Sequence, residues 1–277
     1  MGLKFPNLPE KSRIVLISGR GEYPIMCEKN IVAAGHIPLV IAVDEGVDQD
    51  WFNSFPKHEA VKIPIGKIGK FLSALKNFGV QFAIMAGQVK PKKLFHGMIP
   101  DARALLLLAK LKERNAESIF SAIEMEIAKI GVRLLDARTF MVDELAIRGP
   151  MSCQKLTING ESLNFGIHIA KEIAGLNIGQ SVVVRKGTVV AVEDFAGTDE
   201  LICRAGKFNL RDAIFIKTSK CNQDFRFDVP VFGMQTLENL HTAKIKYAAL
   251  EAGSVIILNR QAVTAAAKKY DIEVLGF

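Results

Sequence analysis

The chain has 277 residues, 49% hydrophobic and 23% charged, a folded composition long enough for two domains and unlike a disordered or low-complexity one. Its net charge of +7 favours an anionic partner, such as a phosphorylated metabolite or a lipid headgroup. The basic residues are scattered apart from "KPKK" at Lys90–Lys93, and one Trp with three Tyr gives no RNA-recognition signature, so nucleic acid is set aside.

Taken in chain order, "RIVLISGRGEYPIMCEKNIVAAGHIPLVIAVD" reads as strand, Gly-rich turn, helix and strand, one βαβ unit. "EAVKIPIG" is expected to be a strand. "KIGKFLSALKNFG" is an amphipathic helix ending at a Gly, and "VQFAIMAGQ" is a third buried strand. "DARALLLLAKLKER" is a helix with Asp101 as N-cap, followed by the helix "AESIFSAIEMEIAKIG" and the short strand in "VRLLDARTFM". Residues 1–143 therefore read as an open Rossmann-like α/β sheet.

Residues 144–277 read as a mixed α/β domain. "FGIHIAKEIAGLNIGQ" is a helix, and "SVVVRKGTVVAVEDF" is the clearest hairpin. "DAIFIKTSK" and "QDFRFDVPVFG" are expected to be strands, and "TLENLHTAKIKYAAL" a helix. "GSVIILN", "RQAVTAAAKKY" and "IEVLGF" follow as strand, helix and strand.

The four cysteines, Cys27, Cys153, Cys203 and Cys221, are far apart, so a structural zinc site is not expected and a reducing, cytoplasmic setting fits. The first residues have no apolar signal-peptide core. "ARALLLLAKLK" is far shorter than the ~20 residues of a membrane span.

Several stretches can carry chemistry. In "GRGEYP", Gly19 and Gly21 permit a tight turn whose free N–H groups would bind a phosphate. Pro24 stands where the dinucleotide fingerprint has its third Gly, and a ligand-free strand-to-helix turn is the plain alternative. Asp44 could bond a ribose hydroxyl or be a solvated loop acid. Gly87, Gln88 and Lys90 end a buried strand, where ligands of open α/β sheets gather; a basic surface loop is the alternative. Thr198 is expected to cap a helix, with Asp199 favoured by the helix dipole. Glu193 ends a Val-rich strand, where a carboxylate must be paired or bind a metal. In "QDFRFDVPVFG", Asp224, Arg226 and Asp228 alternate with Phe225 and Phe227, so an ideal strand would place the three charges on one face. The two acids would then lie about 13 Å apart, too far to clamp one ion directly. Either they serve distinct roles at a metal, or the row is a cross-strand ion-pair array.

These stretches, in this order, resemble the UDP-2,3-diacylglucosamine pyrophosphatases of the LpxI type. The resemblance rests on "GRGEYP", "IGKIGKFLSALKNFGVQFAIMAGQVKP", "IGQSVVVRKGTVVAVEDFAGTDELICRAG", "QDFRFDVPVFGMQTLENL" and "AALEAGSVIILNR". It departs at "TSKCNQD", where a Pro-Gly is expected before Gln223. The resemblance implies hydrolysis of UDP-2,3-diacylglucosamine to UMP and 2,3-diacylglucosamine 1-phosphate (lipid X). It implies a divalent cation, usually Mg²⁺, and two domains with the lipid held between them. An essential acid is carried onto Asp228, with Asp224 beside it. Asp228, Asp224 and Glu193 are the candidate metal ligands. Arg226, Lys217 and Arg185 are candidates to offset phosphate charge, and Thr198 to bind substrate. Transient contact with the cytoplasmic face of the inner membrane fits the charge of +7. The residues alone also admit a nicotinamide-dependent oxidoreductase using the Gly turn, or a non-catalytic nucleotide-sugar or lipid-binding protein.

Overall fold

A computed structural model describes residues 6–43, 45–88, 99–111 and 116–277. It divides into two compact units. The first runs to Phe140 and includes Phe225–Phe227; the second comprises Met141–Asp224 and Asp228–Phe277.

The first unit contains β1 (Arg13–Ser18), α1 (Glu22–Ala33), β2 (Ile37–Ala42), α2 (Gln49–Asn53) and β3 (Ala60–Lys62). It continues with α3 (Ile68–Phe78), β4 (Phe82–Ala86), α4 (Ala102–Ala109), α5 (Ala116–Lys129) and β5 (Arg133–Leu134). The strands form one sheet in the order β3-β2-β1-β4-β5, every pairing parallel. This is the Rossmann-like sheet expected from the unbroken apolar runs, because a central parallel strand is covered on both faces. Ile14, Val15 and Leu16 of β1 are fully buried. Asp101 caps α4 as expected, its carboxylate accepting from the Ala104 and Gly69 N–H groups. The short helix α2 is not expected from the sequence; Asp48 caps it by accepting from the Trp51 N–H.

The second unit contains β6 (Gly149–Pro150), α6 (Gly160–Gly175), β7 (Ser181–Arg185), β8 (Thr188–Val192), α7 (Thr198–Gly206) and β9 (Ile214–Lys217). It ends with β10 (Val231–Phe232), α8 (Met234–Thr242), β11 (Tyr247–Leu250), β12 (Ile256–Ile257), α9 (Arg260–Lys269) and β13 (Glu273–Gly276). Six strands form a mixed sheet, β6-β13-β11-β9-β7-β8, with β13, β11 and β9 parallel and β6, β7 and β8 joining antiparallel. Alternation along the strands separates two apolar layers. Val183 and Phe215 pack with Leu201, Leu237 and Val263 on one face; Val182, Val184 and Ile216 pack with Ala170 and Ile173 of α6 on the other. Helix α6 lies so close to the sheet that a Cβ on Gly166 would stand 2.5 Å from Ile216 Cδ1. The β7–β8 hairpin turns through Lys186 and Gly187, both at positive φ, the geometry that suits a two-residue hairpin.

Three expectations are corrected here. Tyr247–Leu250 is a strand, not the end of a helix. The turn after α8 passes through Lys244 at φ 59°, and the β-branched, aromatic and small residues that follow suit a buried parallel strand. Helix α6 begins at Gly160, five residues before the apolar pattern, because the Asn159 side chain caps it by accepting from the Ser162 N–H. Most consequentially, "QDFRFDVPVFG" is not one strand: residues 225–227 form a turn, and only Val231–Phe232 pair in a sheet.

Candidate functional site

In the first unit, four of the residues singled out from the sequence meet at the carboxyl ends of β1 and β4. That is the switch point of the strand order, where ligands of open parallel sheets bind. The Gly19 N–H donates to the Ala86 carbonyl at 2.8 Å. Arg20 and Gln88 exchange backbone hydrogen bonds at 2.9 and 3.0 Å. The two turns press backbone to backbone: a Cβ on Gly19 would lie 2.5 Å from the Gln88 carbonyl oxygen, and one on Gly87 would lie 2.8 Å from that of Arg20. Gly87 also requires φ +90°. Pro24, in the first turn of α1, packs against Gly87, so the ring occupies the place of the missing third Gly. Gly21, at φ 94°, precedes α1 and supplies no side-chain cap, which leaves the positive end of this 12-residue helix for an anion. Asp44 and Lys90 lie outside the described residues.

In the second unit the sheet topology gathers side chains at one end. Strands β9 and β11 are parallel and end together, while antiparallel β7 begins beside the end of β9, with Ser181 paired to Lys217. Strand β8 ends there too, and Glu193 follows it, its N–H donating to the Ser181 carbonyl at 2.9 Å. Lys217, only 5% exposed, donates to Ser181 Oγ at 3.1 Å and Thr198 Oγ1 at 3.0 Å, and its Nζ lies 3.7 Å from Glu193 Oε2. Thr198 Oγ1 donates to Glu193 Oε1 at 2.7 Å, and the Gln180 N–H donates to Glu193 Oε2 at 3.2 Å. Burial alone would raise the Glu193 carboxyl, but the Lys217 ammonium and the hydrogen bonds from Ser181, Thr198 and Gln180 hold it below the usual glutamate range.

Gln180 also reaches Asp228, its Nε2 donating to Asp228 Oδ2. Gln223 Nε2 donates to the same oxygen at 3.1 Å and to the Asp228 carbonyl at 2.9 Å. The structure thus joins Glu193, Thr198, Lys217 and Asp228 in one network. The sequence reading did not single out Gln180, Ser181, Gln223 or Glu251. Glu251, at the end of β11, pairs with Lys171 at 2.7 Å and accepts from Thr218 and Ser219. Burial would raise its carboxyl too, but Lys171, Ser219 and Thr218 together lower it.

The expected row of Asp224, Arg226 and Asp228 on one strand face is replaced by a turn in which the Asp228 N–H donates to the Asp224 carbonyl at 3.3 Å. The physical reason is the two aromatics. In the first unit Phe227 stacks on Phe120 with ring centroids 6.0 Å apart, and Phe225 lies beneath the Arg138 guanidinium at 3.4 Å. Packing both half-buried rings outweighs extended pairing, and Pro230 removes a ladder donor. Arg226 donates to Glu124 Oε1 at 2.8 Å. The two acids belong to the second unit and Arg226 to the first. Two further expectations change. Gly197, at φ 90°, occupies the cap of α7, and Thr198 is the first helical residue with its hydroxyl spent on Glu193. Arg185 sits at the far end of β7 from Ser181, paired with Asp212 at 2.5 Å, and does not join Lys217.

Among the described residues, no three His, Cys, Asp or Glu side chains form a metal-holding group. Glu193 does not fit as a ligand, because both its oxygens accept hydrogen bonds and an ammonium neutralises it. Asp228, exposed at the edge of the network, and Asp224, one turn earlier, each fit as the single carboxylate that Mg²⁺ needs when substrate phosphates complete its shell. No helix among the described residues is long and apolar enough to cross a membrane.

The fold and these two strand-end clusters define a two-domain α/β protein, a Rossmann-like sheet followed by a mixed one. The LpxI N-terminal domain matches residues 13–144 and the LpxI C-terminal domain residues 149–275. A curated relative, "UDP-2,3-diacylglucosamine pyrophosphatase LpxI" of Caulobacter vibrioides, is 28% identical over 278 residues, spanning 95% of this chain and 97% of the relative. The chain belongs to the LpxI family: it is a hydrolase, a pyrophosphatase of lipid A metabolism. Membership implies dependence on a divalent cation and substrates that are nucleotide sugars carrying lipid.

Proposed function

We propose that the chain hydrolyses UDP-2,3-diacylglucosamine to UMP and 2,3-diacylglucosamine 1-phosphate, with Mg²⁺, at the cytoplasmic face of the inner membrane. The observation that carries the assignment of residues is Gln180. Its backbone N–H donates to Glu193 of the buried Glu193–Lys217 pair and its side-chain amide holds the exposed Asp228 carboxylate, so one residue ties a candidate base to the buried ion pair.

In this reading Asp228 accepts a proton as water attacks the phosphorus on the sugar side. The new P–O bond forms as the bond to the bridging oxygen breaks, and UMP leaves with that oxygen. Asp224, one turn earlier, is the second acid of the site. Lys217 acts through the hydroxyls it orients: Ser181 and Thr198 are set by its donors, and Thr198 opens α7, whose Gly197 cap leaves first-turn N–H groups for a phosphoryl oxygen. In the first unit the start of α1 after Gly21 offers N–H groups suited to a nucleotide phosphate, and Gly19, Gly87 and Gln88, with the Gly19 and Gln88 N–H groups spent between the two turns, shape the turn that presents it. Mg²⁺, when bound, would offset the charge of the pyrophosphate, with Asp224 the candidate carboxylate to hold it while Asp228 takes the proton. The net charge of +7 favours visits to an anionic lipid surface.

The test is UMP release from UDP-2,3-diacylglucosamine in mixed micelles with Mg²⁺, with and without chelator. Release that stops with chelator is expected. Folded protein that liberates no UMP would overturn the proposal, and label from H₂¹⁸O appearing in UMP rather than in the lipid phosphate would overturn the direction of attack.

A further inference from the structure

The Glu251 and Lys171 side chains touch none of the groups assigned to the reaction, yet they immobilise the segment that carries them. Glu251 Oε2 accepts from Thr218 Oγ1 at 2.7 Å, from the Ser219 N–H at 2.7 Å and from Ser219 Oγ at 2.8 Å. Its Oε1 accepts from Lys171 Nζ at 2.7 Å, and Lys171 also donates to the Ser219 carbonyl at 3.0 Å. Every polar group of Ser219 is therefore held by this one ion pair. The Glu251 N–H donates to the Lys217 carbonyl at 3.0 Å, which ties the same residue to the strand end that presents the buried ammonium.

From Ser219 the chain has four residues to reach Asp224, and the path is braced. The Gln223 N–H donates to the Lys220 carbonyl at 3.1 Å, and the Gln223 side chain then holds Asp228 by carbonyl and carboxylate. A loop that leaves a sheet needs a fixed origin if its far end is to hold a carboxylate in place, and charge-assisted bonds are the strongest polar means of fixing one. A hydrophobic side chain at 251 would strand the two Ser219 donors and leave the Thr218 hydroxyl only the Ser219 carbonyl at 3.2 Å, so the carboxylate answers a specific demand.

We propose that Glu251 and Lys171 form a clamp that positions Lys217 and, through Gln223, Asp228 for hydrolysis; Glu251 is a positioning residue, not a catalytic one. This rests on the reading that Asp228 is the acid of the reaction. The amide of a Gln at 251 would still accept from Ser219 but would turn its NH₂ toward Lys171, placing donor against donor.

The test compares kcat, KM and Tm of the full chain with Glu251→Gln, Lys171→Met, Lys171→Arg, the Glu251→Gln/Lys171→Met double variant and Asp228→Asn, by UMP release. Expected are kcat losses of roughly 10- to 100-fold for Glu251→Gln and Lys171→Met, the scale of a small misplacement of reacting groups. KM should stay within about 2-fold, Lys171→Arg should recover most of the rate, and the double variant should lose little more than either single one. Unchanged kcat in Glu251→Gln while Asp228→Asn is inactive would overturn the clamp and leave the proposed function standing. Losses of rate that track a fall in Tm and are not recovered by Lys171→Arg would also overturn it, marking a role in folding alone. Asp228→Asn at full rate would overturn the assignment of Asp228, and the clamp's target with it, on the single variant by itself.

Discussion

The two strand-end sites are built from different materials. In the first unit the switch point is made of backbone: Gly19, Gly21, Gly87 and the main chain of Gln88, with no charged side chain needed to hold the turns together. In the second unit the site is made of side chains, a buried lysine and two carboxylates tied by amides and hydroxyls. Both start a helix at an uncapped Gly near φ +90°, Gly21 and Gly197. The difference teaches how each can fail. A backbone site tolerates changes of charge but not an added methyl group, whereas a side-chain site tolerates small changes of volume but not loss of a partner.

The largest effect should separate the sites by chemistry. Asp228→Asn should lower kcat by about 10²- to 10⁴-fold, the contribution of a positioned acid or base, with little change in melting because the carboxylate is exposed. Steady-state UMP release together with a melting curve checks both halves. A variant that loses its melt along with its rate would move Asp228 into the structural frame.

Next is Lys217→Met, which leaves Glu193 buried opposite no cation. Breaking such a pair costs about 3–5 kcal/mol, read by urea unfolding followed by circular dichroism. A loss below about 1 kcal/mol would mean that Glu193 rehydrates, and that the second site is less rigid than its hydrogen bonds indicate.

Gly19→Ala and Gly87→Ala probe the backbone site. Each added Cβ meets main-chain atoms that cannot rotate away, so about 1–3 kcal/mol of destabilisation is expected. Trp51, the one tryptophan, lies in the first unit and reports its unfolding by fluorescence. Gly21→Ala meets no neighbour and should cost less, through its positive φ alone. If all three variants cost the same, close packing is not what demands glycine here.

The smallest effect is in pH. The Glu193 and Glu251 carboxyls are both held below the ordinary value of 4.5. The stability they contribute is present above that value and is lost as pH falls through the depressed folded values. The gap in urea midpoint between the parent protein and Glu193→Gln should therefore be constant near neutrality and close below about pH 4.5. A gap that widens on acidification would contradict the sign.

Legibility differed between the units for a reason seen in single residues. Gly19, Gly21, Gly87 and Gln88 were readable because strand-end glycines are a local signal that needs only the neighbouring turn. Glu193 was readable because a carboxylate ending a Val run needs a partner, and folding brings the Lys217 ammonium to it. Glu251 ends "YAAL" in the same way, and it was missed because that stretch reads equally well as the close of a helix. Gln180 and Gln223 carry no local signature; they matter only through what folding places beside them.

The sequence by itself determined most of the strands and helices, the hairpin, the two-domain α/β class and the family, since these rest on periodicity, turn residues and ordered motifs along the chain. Tertiary structure alone decided the pairings. Packing of the half-buried Phe225 and Phe227 in the first unit turned an expected strand into a turn and divided its charges between two units. The antiparallel return of β7 brought Ser181 and Gln180 to Lys217. Hydrophobic burial and strand pairing act between residues far apart in the chain, so neither outcome is written in any one stretch of it.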